Sequence, residues 1–406
     1  MLQMANEPTV KKSSCSYCGN APVNHTLSFL ESMVFVTLDN HAKKFLKYVP
    51  LFVTNFVDLV PEFLYRTLVF CRLAEFSGDM ERAGSFRSKI IWEEARRRGI
   101  KMEQVIFLGK PLDQYRAMLE IGEKRQFFYF ESIPIQPEFL DMSKNWDDKM
   151  IMKREFEKHG IPIPAYSEFS IFSFLSFKKN LENIFSKFKK PIIVKPRVGS
   201  RGRHTIININ NLEQFREGID VAGQICSHLI VEEHLEGSVC RATLVDGRLA
   251  GFYKGTAPTL EGDGRKTIQE LIEELDKKRA SRVEPIRISK ELHEHISRAG
   301  FSVSDILPAG ETLVLSHRMG RFFGGKTIEM IDSLHPSFIP VFEKVAKVTG
   351  LSVVGFDAII KDPAKPANTQ RWGIIECNTL PFIDLHYYAL EGKPKNIAGM
   401  IWDLWE

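Results

Sequence analysis

Two apolar segments near the C-terminal end constrain this chain more than any other feature. Val353-Val-Gly-Phe-Asp-Ala-Ile-Ile360 and Trp372-Gly-Ile-Ile-Glu-Cys-Asn378 both read as strands, with Asp357, Glu376 and Asn378 set among apolar neighbours. The connection Lys361–Gln370 is rich in Pro and Asn, so the pair is expected to form an antiparallel hairpin. Side chains alternate along a strand, which puts Glu376 and Asn378 on one face and Cys377 on the other, core-facing one. In a symmetric register Asp357 lies opposite Glu376, and three oxygen donors converge. Such donors suit Mg²⁺, which takes one or two carboxylates together with phosphate oxygens. Asp357 and Glu376 could instead be separate rim residues; the convergence in otherwise apolar strands favours the metal.

Upstream, Pro191-Ile-Ile-Val-Lys-Pro196 reads as a buried strand ending in Lys195. It runs into Arg197-Val-Gly-Ser-Arg-Gly-Arg-His-Thr205. Lysine supplies a point charge, and glycine lets backbone N–H groups approach phosphate oxygens. Alone, such a loop reads equally well as a solvated turn. Leu229-Ile-Val-Glu-Glu-His-Leu235 is a strand with a polar end, able to offer backbone and carboxylate groups to an adenine edge. Gly320-Arg-Phe-Phe-Gly-Gly-Lys-Thr327 satisfies the Walker A pattern, with Thr312–Leu315 as a candidate preceding strand. Pro336 limits any helix after it, and the remaining residues are already used by the hairpin, which counts against a P-loop.

The order of these pieces is more specific than any one of them. Lys149 precedes Gly160-Ile-Pro-Ile-Pro164, then come the Lys195 loop, Val231-Glu-Glu-His-Leu235 and Asp357…Glu376-Cys-Asn378. Residues from about 145 to 406 resemble the ATP-grasp superfamily of carboxylate–amine ligases, and within it the ATP-grasp domain of cyanophycin synthetase. Leu249–Lys254, Glu261–Ile272, Gly324–Glu329, His335-Pro336 and Glu391–Ala398 follow that family's pattern. The resemblance implies ATP and Mg²⁺ as cofactors, two metal ions, with Mn²⁺ as a substitute. It implies that Lys149 and Lys195 contact the phosphates and that Gly199, Ser200, Arg201, Gly202 and Arg203 close over them. Glu232, Glu233, His234 and Leu235 would hold the adenine; Asp357, Glu376 and Asn378 would bind metal. Arg241 and Lys254 match positive positions near phosphate or acyl phosphate, and His386 lies where a closing loop approaches substrate. Three departures stand out. Val239 replaces an acidic ribose ligand, Phe382 a glycine after Asn-x-x-Pro, and Asp384 an arginine. Gly355 stands where D-alanine–D-alanine ligases place an oxyanion arginine, with Arg318 as the substitute. The Mur-ligase-like half that follows the ATP-grasp part of cyanophycin synthetase is missing from the sequence.

The fold expected is α/β (α+β): an ATP-grasp fold with two α+β subdomains at 146–406, a small α/β unit at 79–145, and a mostly helical extension at 1–78. Within the small unit, Arg87–Arg98 reads as a helix stopped by Gly99, with strands at Gln104–Gly109 and Gln126–Phe130. Net charge is +4 and 44% of residues are hydrophobic, which disfavours both a nucleic-acid partner and disorder. Thirty Phe against 9 Tyr and 5 Trp imply a large aromatic core. No run of apolar residues is long enough for a membrane span, and Met1–Asn20 lacks an apolar signal region. Six sparse cysteines fit a reducing cytoplasm. Cys15-Ser-Tyr-Cys18 resembles half a zinc knuckle, but no second cysteine pair follows and His25 and His41 are poorly spaced. The expectation there is a polar tail with two unrelated cysteines. The function expected is ATP-dependent joining of a carboxylate to an amine of an amino acid or peptide. The alternatives are an ATP-grasp kinase and a non-catalytic ATP-binding module. A homo-oligomer is compatible with all three.

Overall fold

A computed structural model describes residues 15–18, 22–46, 62–121, 124–135, 144–172, 181–199 and 202–406. Ser200 and Arg201 of the glycine-rich loop lie outside the described residues. After the helix His25–Leu46 and a second helix at 62–70, a four-stranded antiparallel meander forms. Its strands are β1 (Ala74–Ser77), β2 (Met102–Phe107), β3 (Lys110–Ile121) and β4 (Lys124–Glu131). The sheet therefore begins upstream of residue 79. Leu108 and Gly109 both take positive φ, so the strand ends at Phe107, two residues earlier than the apolar pattern suggests. The long strand β3 carries charged residues at many positions, which hides it from a hydrophobicity reading.

The helix Phe86–Arg97 covers this sheet; Ser85 caps its N-terminus and Gly99, at φ +73°, ends it. Its apolar face packs with the C-terminal helix Ile397–Trp402, so the first unit and the end of the chain share one core.

A second antiparallel sheet has the order β5-β8-β6-β7, made from Tyr166–Ser170 (β5), Ile192–Pro196 (β6), Ile206–Ile209 (β7) and His228–Glu233 (β8). The helix Leu212–Ala222 buries Phe215 and Ile219 against it. The third and largest sheet runs β13-β10-β9-β14-β15. Its strands are Ser238–Val245 (β9), Arg248–Gly255 (β10), Thr327–Glu329 (β13), Val353–Ile360 (β14) and Gly373–Asn378 (β15). Strand alternation gives it two different faces. Cys240, Ala242, Leu244, Phe252, Val354, Phe356 and Cys377 enter the core with Phe338 and Phe342, while the other face carries Arg241, Thr243 and Asp357 and, at one end, Val245 and Val353 of the core shared with the first unit. A small β-ribbon, β11 (Thr259–Glu261) with β12 (Thr312–Val314), packs with the helices Ile268–Lys278 and Lys290–Ser297.

The Walker A match is not a P-loop. Arg321–Phe323 is a single 3₁₀ turn, Thr327–Glu329 is an edge strand, and no helix begins at Lys326. Lys326 pairs instead with Glu391 at the surface.

Candidate active site

One cross-strand row organises the polar face of the large sheet. Tyr253 on β10 pairs with Arg241 on β9, Arg241 with Asp357 on β14, and Asp357 with Glu376 on β15. The Asp357–Glu376 register is the symmetric one, and a bulge follows Asp357. Cross-strand partners share a face, so these side chains stand in line. Arg241 grips Asp357 through two parallel hydrogen bonds, Nε to Oδ1 at 2.7 Å and Nη2 to Oδ2 at 2.6 Å. Burial alone would lower the Arg241 pKa, but Asp357 overrides it and holds the guanidinium charged. Asn378 lies two residues past Glu376, with Nδ2 at 3.4 Å from Asp357 Oδ2.

The helix Lys149–Lys158 brings cations to this row. Asp148 caps it and also receives Arg197, which places the chain leaving β6 against the helix start. Lys149 Nζ donates to the Gly199 carbonyl at 2.6 Å and lies 3.3 Å from Glu376 Oε1, joining the glycine-rich loop to the row. Lys195, at the end of β6, reaches the Ile375 carbonyl at 3.4 Å and Glu232 Oε1 at 2.8 Å. Lys153, one helical turn from Lys149, meets the same Glu232 oxygen at 2.9 Å. Lys153 is completely buried. Desolvation, with Lys195 nearby, lowers its pKa to about 8, partly offset by Glu232. Burial would raise the Glu232 carboxyl, but the two lysines hold it below its ordinary value.

The other expected site residues have defined surroundings. The Glu232 carboxylate is committed to Lys153 and Lys195. Glu233 is paired with Arg371, at 2.6 Å, and accepts from the Ala165 N–H. Leu235 is buried and His234 half-buried, with its imidazole pKa lowered by desolvation. Lys254 pairs with Cys240 and so projects to the face opposite Arg241; the two do not converge. Arg318 is buried against the Glu291 carboxylate at 2.9 Å and the Tyr17 carbonyl at 3.0 Å, away from the row. His386 is fully buried. Its Nε2 lies 2.8 Å from the Thr243 hydroxyl and its Nδ1 meets Glu329, which also accepts from the Phe252 N–H.

The departures have structural counterparts. Asp384 is fully buried and paired with Arg321. Phe382 sits between two guanidiniums, with Arg87 and Arg241 at 5.4 and 6.0 Å from its ring centre. Val239 offers no polar side chain, and its N–H donates to Met319 Sδ. Lys153, Arg321 and Arg87 are absent from the sequence-based set. Only Lys153 had a local signal, its four-residue spacing from Lys149.

Asp357, Glu376 and the Asn378 amide oxygen fit a Mg²⁺ site in donor chemistry: hard oxygens beside Lys149, of the kind that Mg²⁺ combines with phosphate oxygens. The same set fits a nucleotide, whose phosphates need the positive groups at Lys149, Lys195 and Arg241.

A search of solved structures finds the bifunctional glutathione synthetase from Pasteurella multocida, with TM-score 0.50 at 18% identity over 79% of this chain and 44% of that one. That likeness is one of fold. Among curated proteins it is similar to the cyanophycin synthetase of Trichormus variabilis, 29% identical over 63% of this chain and 29% of that protein. It also matches the glutathione biosynthesis bifunctional protein GshAB of Streptococcus mutans, at 26% identity over 63% of this chain and 34% of that protein. The chain thus spans about a third or less of the length of these relatives. No protein-family model matches it. Among the described residues, no helix is long and apolar enough to cross a membrane.

Proposed function

We propose that the chain is an ATP-dependent ligase that joins a carboxylate to the amine of an amino acid or peptide. The observation that carries this reading is the convergence of Lys149, Lys195 and Arg241 on the Asp357–Glu376–Asn378 row, where two sheets meet. A carboxylate oxygen is a poor leaving group, so amide formation needs activation. The substrate carboxylate attacks the γ-phosphorus of ATP and ADP leaves. The amine nitrogen then attacks the acyl-phosphate carbonyl and phosphate departs. Phosphoryl transfer asks little covalent chemistry of the protein beyond positioning and charge neutralisation.

In this reading Lys149 and Lys195 hold phosphate oxygens, and the 199–203 loop covers them, excluding water from the acyl phosphate. The main chain of 232–235 and Leu235 cradle the adenine, and the Glu232 carboxylate fixes Lys195. Asp357, Glu376 and Asn378 would hold Mg²⁺, two ions or Mn²⁺ in their place, which supplies charge neutralisation on the phosphates. Arg241 orients Asp357 and faces the transferred group. We assign residues 146–406 to the ATP-grasp domain and 79–145 to a preceding unit, whose Arg87 reaches Leu380 and Phe382 just after β15. The six cysteines, none of them in a disulfide, suit a reducing cytoplasm.

The test is a screen of amino-acid pairs and peptides for ADP and phosphate release, with mass detection of products. An amide product formed with ADP, and lost in Glu376→Gln, is expected. A stable phosphorylated product would make the chain a kinase. Tight ATP binding without turnover on any substrate would leave a nucleotide-binding module. Either result overturns the ligase reading.

A further inference from the structure

Cys15 and Cys18 are not a lone pair. The short turn Ser16–Cys18 and the first residue of the helix His25–Leu46 bring Cys15, Cys18 and His25 together. His204, the residue after the 199–203 loop, closes the group. One ligand atom from each of the four residues lies within 4.8 Å of all the others. Cys18 Sγ is 3.3 Å from His25 Nε2 and 3.4 Å from His204 Nε2, and Cys15 Sγ is 3.5 Å from His204 Nε2. With Zn–S and Zn–N bonds of about 2.3 and 2.0–2.1 Å, a tetrahedral centre sets sulfur and nitrogen about 3.5 Å apart. The observed edges match that spacing.

Hydrogen bonding alone accounts poorly for the cluster. The His204 Nδ1 lies 2.7 Å from the Val221 carbonyl, which accepts its proton and leaves Nε2 as a bare lone pair. That lone pair faces both sulfurs, while Cys18 faces two imidazoles with a single thiol proton to share. A cation at the centre would satisfy all four atoms at once. The Val221 contact is also the outer hydrogen bond that orients a metal-bound imidazole. Cys18 and His204 are buried, and the His25 and His204 rings stand at 86° with centres 4.7 Å apart, so neither blocks the other.

We propose that Cys15, Cys18, His25 and His204 form a structural zinc site, separate from the Asp357 row and independent of the ligase reading. Two thiolates and two imidazoles at tetrahedral spacing select zinc over Mg²⁺ or Ca²⁺, which take oxygen ligands. The site clasps the N-terminal segment onto the end of the glycine-rich loop. The Tyr17 carbonyl, inside the turn, accepts both the His204 N–H at 3.1 Å and Arg318 Nη2 at 3.0 Å. Arg318, expected in catalysis, thereby has a defined structural place beside the zinc.

The test uses the full chain, purified without added metal, with metal content read by mass spectrometry. The expected result is one zinc per chain, lost in the Cys15→Ser/Cys18→Ser double variant. Replacement of zinc by Co²⁺ should give the thiolate charge-transfer and strong visible bands of a tetrahedral cobalt site. If the double variant does not fold, the wild-type cobalt spectrum and Cys15→His, which keeps four ligands, decide the matter. Folded wild-type protein that takes up neither zinc nor cobalt with thiolate bands overturns the proposal. So does zinc retained in full by the double variant, or a Cys15–Cys18 disulfide in protein kept under reducing conditions.

Discussion

Replacing Glu232 with Gln should destabilise the protein by about 3–5 kcal/mol at pH 7, the range seen when a buried ion pair loses one partner. Glu232 is the counter-ion of Lys153 and Lys195, and both it and Lys153 are buried. The loss has a pH signature set by Lys153, which titrates at about 8 in the fold against an ordinary 10.5. Without the carboxylate, Lys153 is expected to shed its proton in the folded state below pH 7. A lysine that is neutral when folded and charged when unfolded costs about 5 kcal/mol at pH 7 and about 2 kcal/mol at pH 9. Throughout that interval the unfolded chain holds the extra proton, so stability of the variant rises with pH. In the wild type the same group stays charged in the fold up to about 8, so its rise begins only there. Between pH 7 and 8 the variant should therefore gain about 1 kcal/mol while this group leaves the wild type nearly flat. Chemical denaturation followed by tryptophan fluorescence at pH 7, 8 and 9 reads both curves. Adding Lys153→Met to the variant should abolish the slope. An unchanged midpoint in Glu232→Gln, or a deficit that does not shrink with pH, would refute the buried-triad account.

Other expectations follow from single contacts. Asp357→Asn leaves Arg241 buried without its bidentate acceptor and should cost about 3–5 kcal/mol in denaturation experiments as well as activity. Glu376→Gln, at a more exposed position, should alter stability far less while removing Mg²⁺-dependent ATP turnover; a large stability loss would show its role to be structural. A methyl group at Gly251 would meet His386 Nδ1 at 2.5 Å and Ile397 Cδ1 at 2.9 Å. Gly251→Ala should therefore lower stability by about 1–3 kcal/mol, measured by denaturation, and an unaffected variant would mean that His386 is free to move.

The strongest local patterns survived into three dimensions. The Asp357–Glu376 register was readable because a hairpin is a short-range object: its partners are close in sequence and alternation decides their faces. Lys149 and Lys195 were legible for a similar reason, each sitting at the end of a regular element that aims it. The helix over 86–97 announced itself by periodicity and a following glycine, whereas β3 did not, because its polar residues hide strand periodicity.

What the amino-acid order determined by itself is therefore several of the strands and the hairpin that sets Asp357 opposite Glu376. Tertiary structure alone decided which charges meet. It committed Glu232 to two lysines, turned Lys254 to the far face of the sheet, drew Arg318 to Tyr17 and Glu291, and matched Asp384 with Arg321. It also brought His204 to Cys15, Cys18 and His25, 186 residues beyond Cys18, converting two apparently unrelated cysteines into a tetrad. The physical reason is the same in each case. Backbone periodicity is a local property that a segment carries with it. The partner of a buried charge or a thiolate is chosen by whatever group the packed layers bring within a few ångströms, and sequence distance sets no limit on that choice.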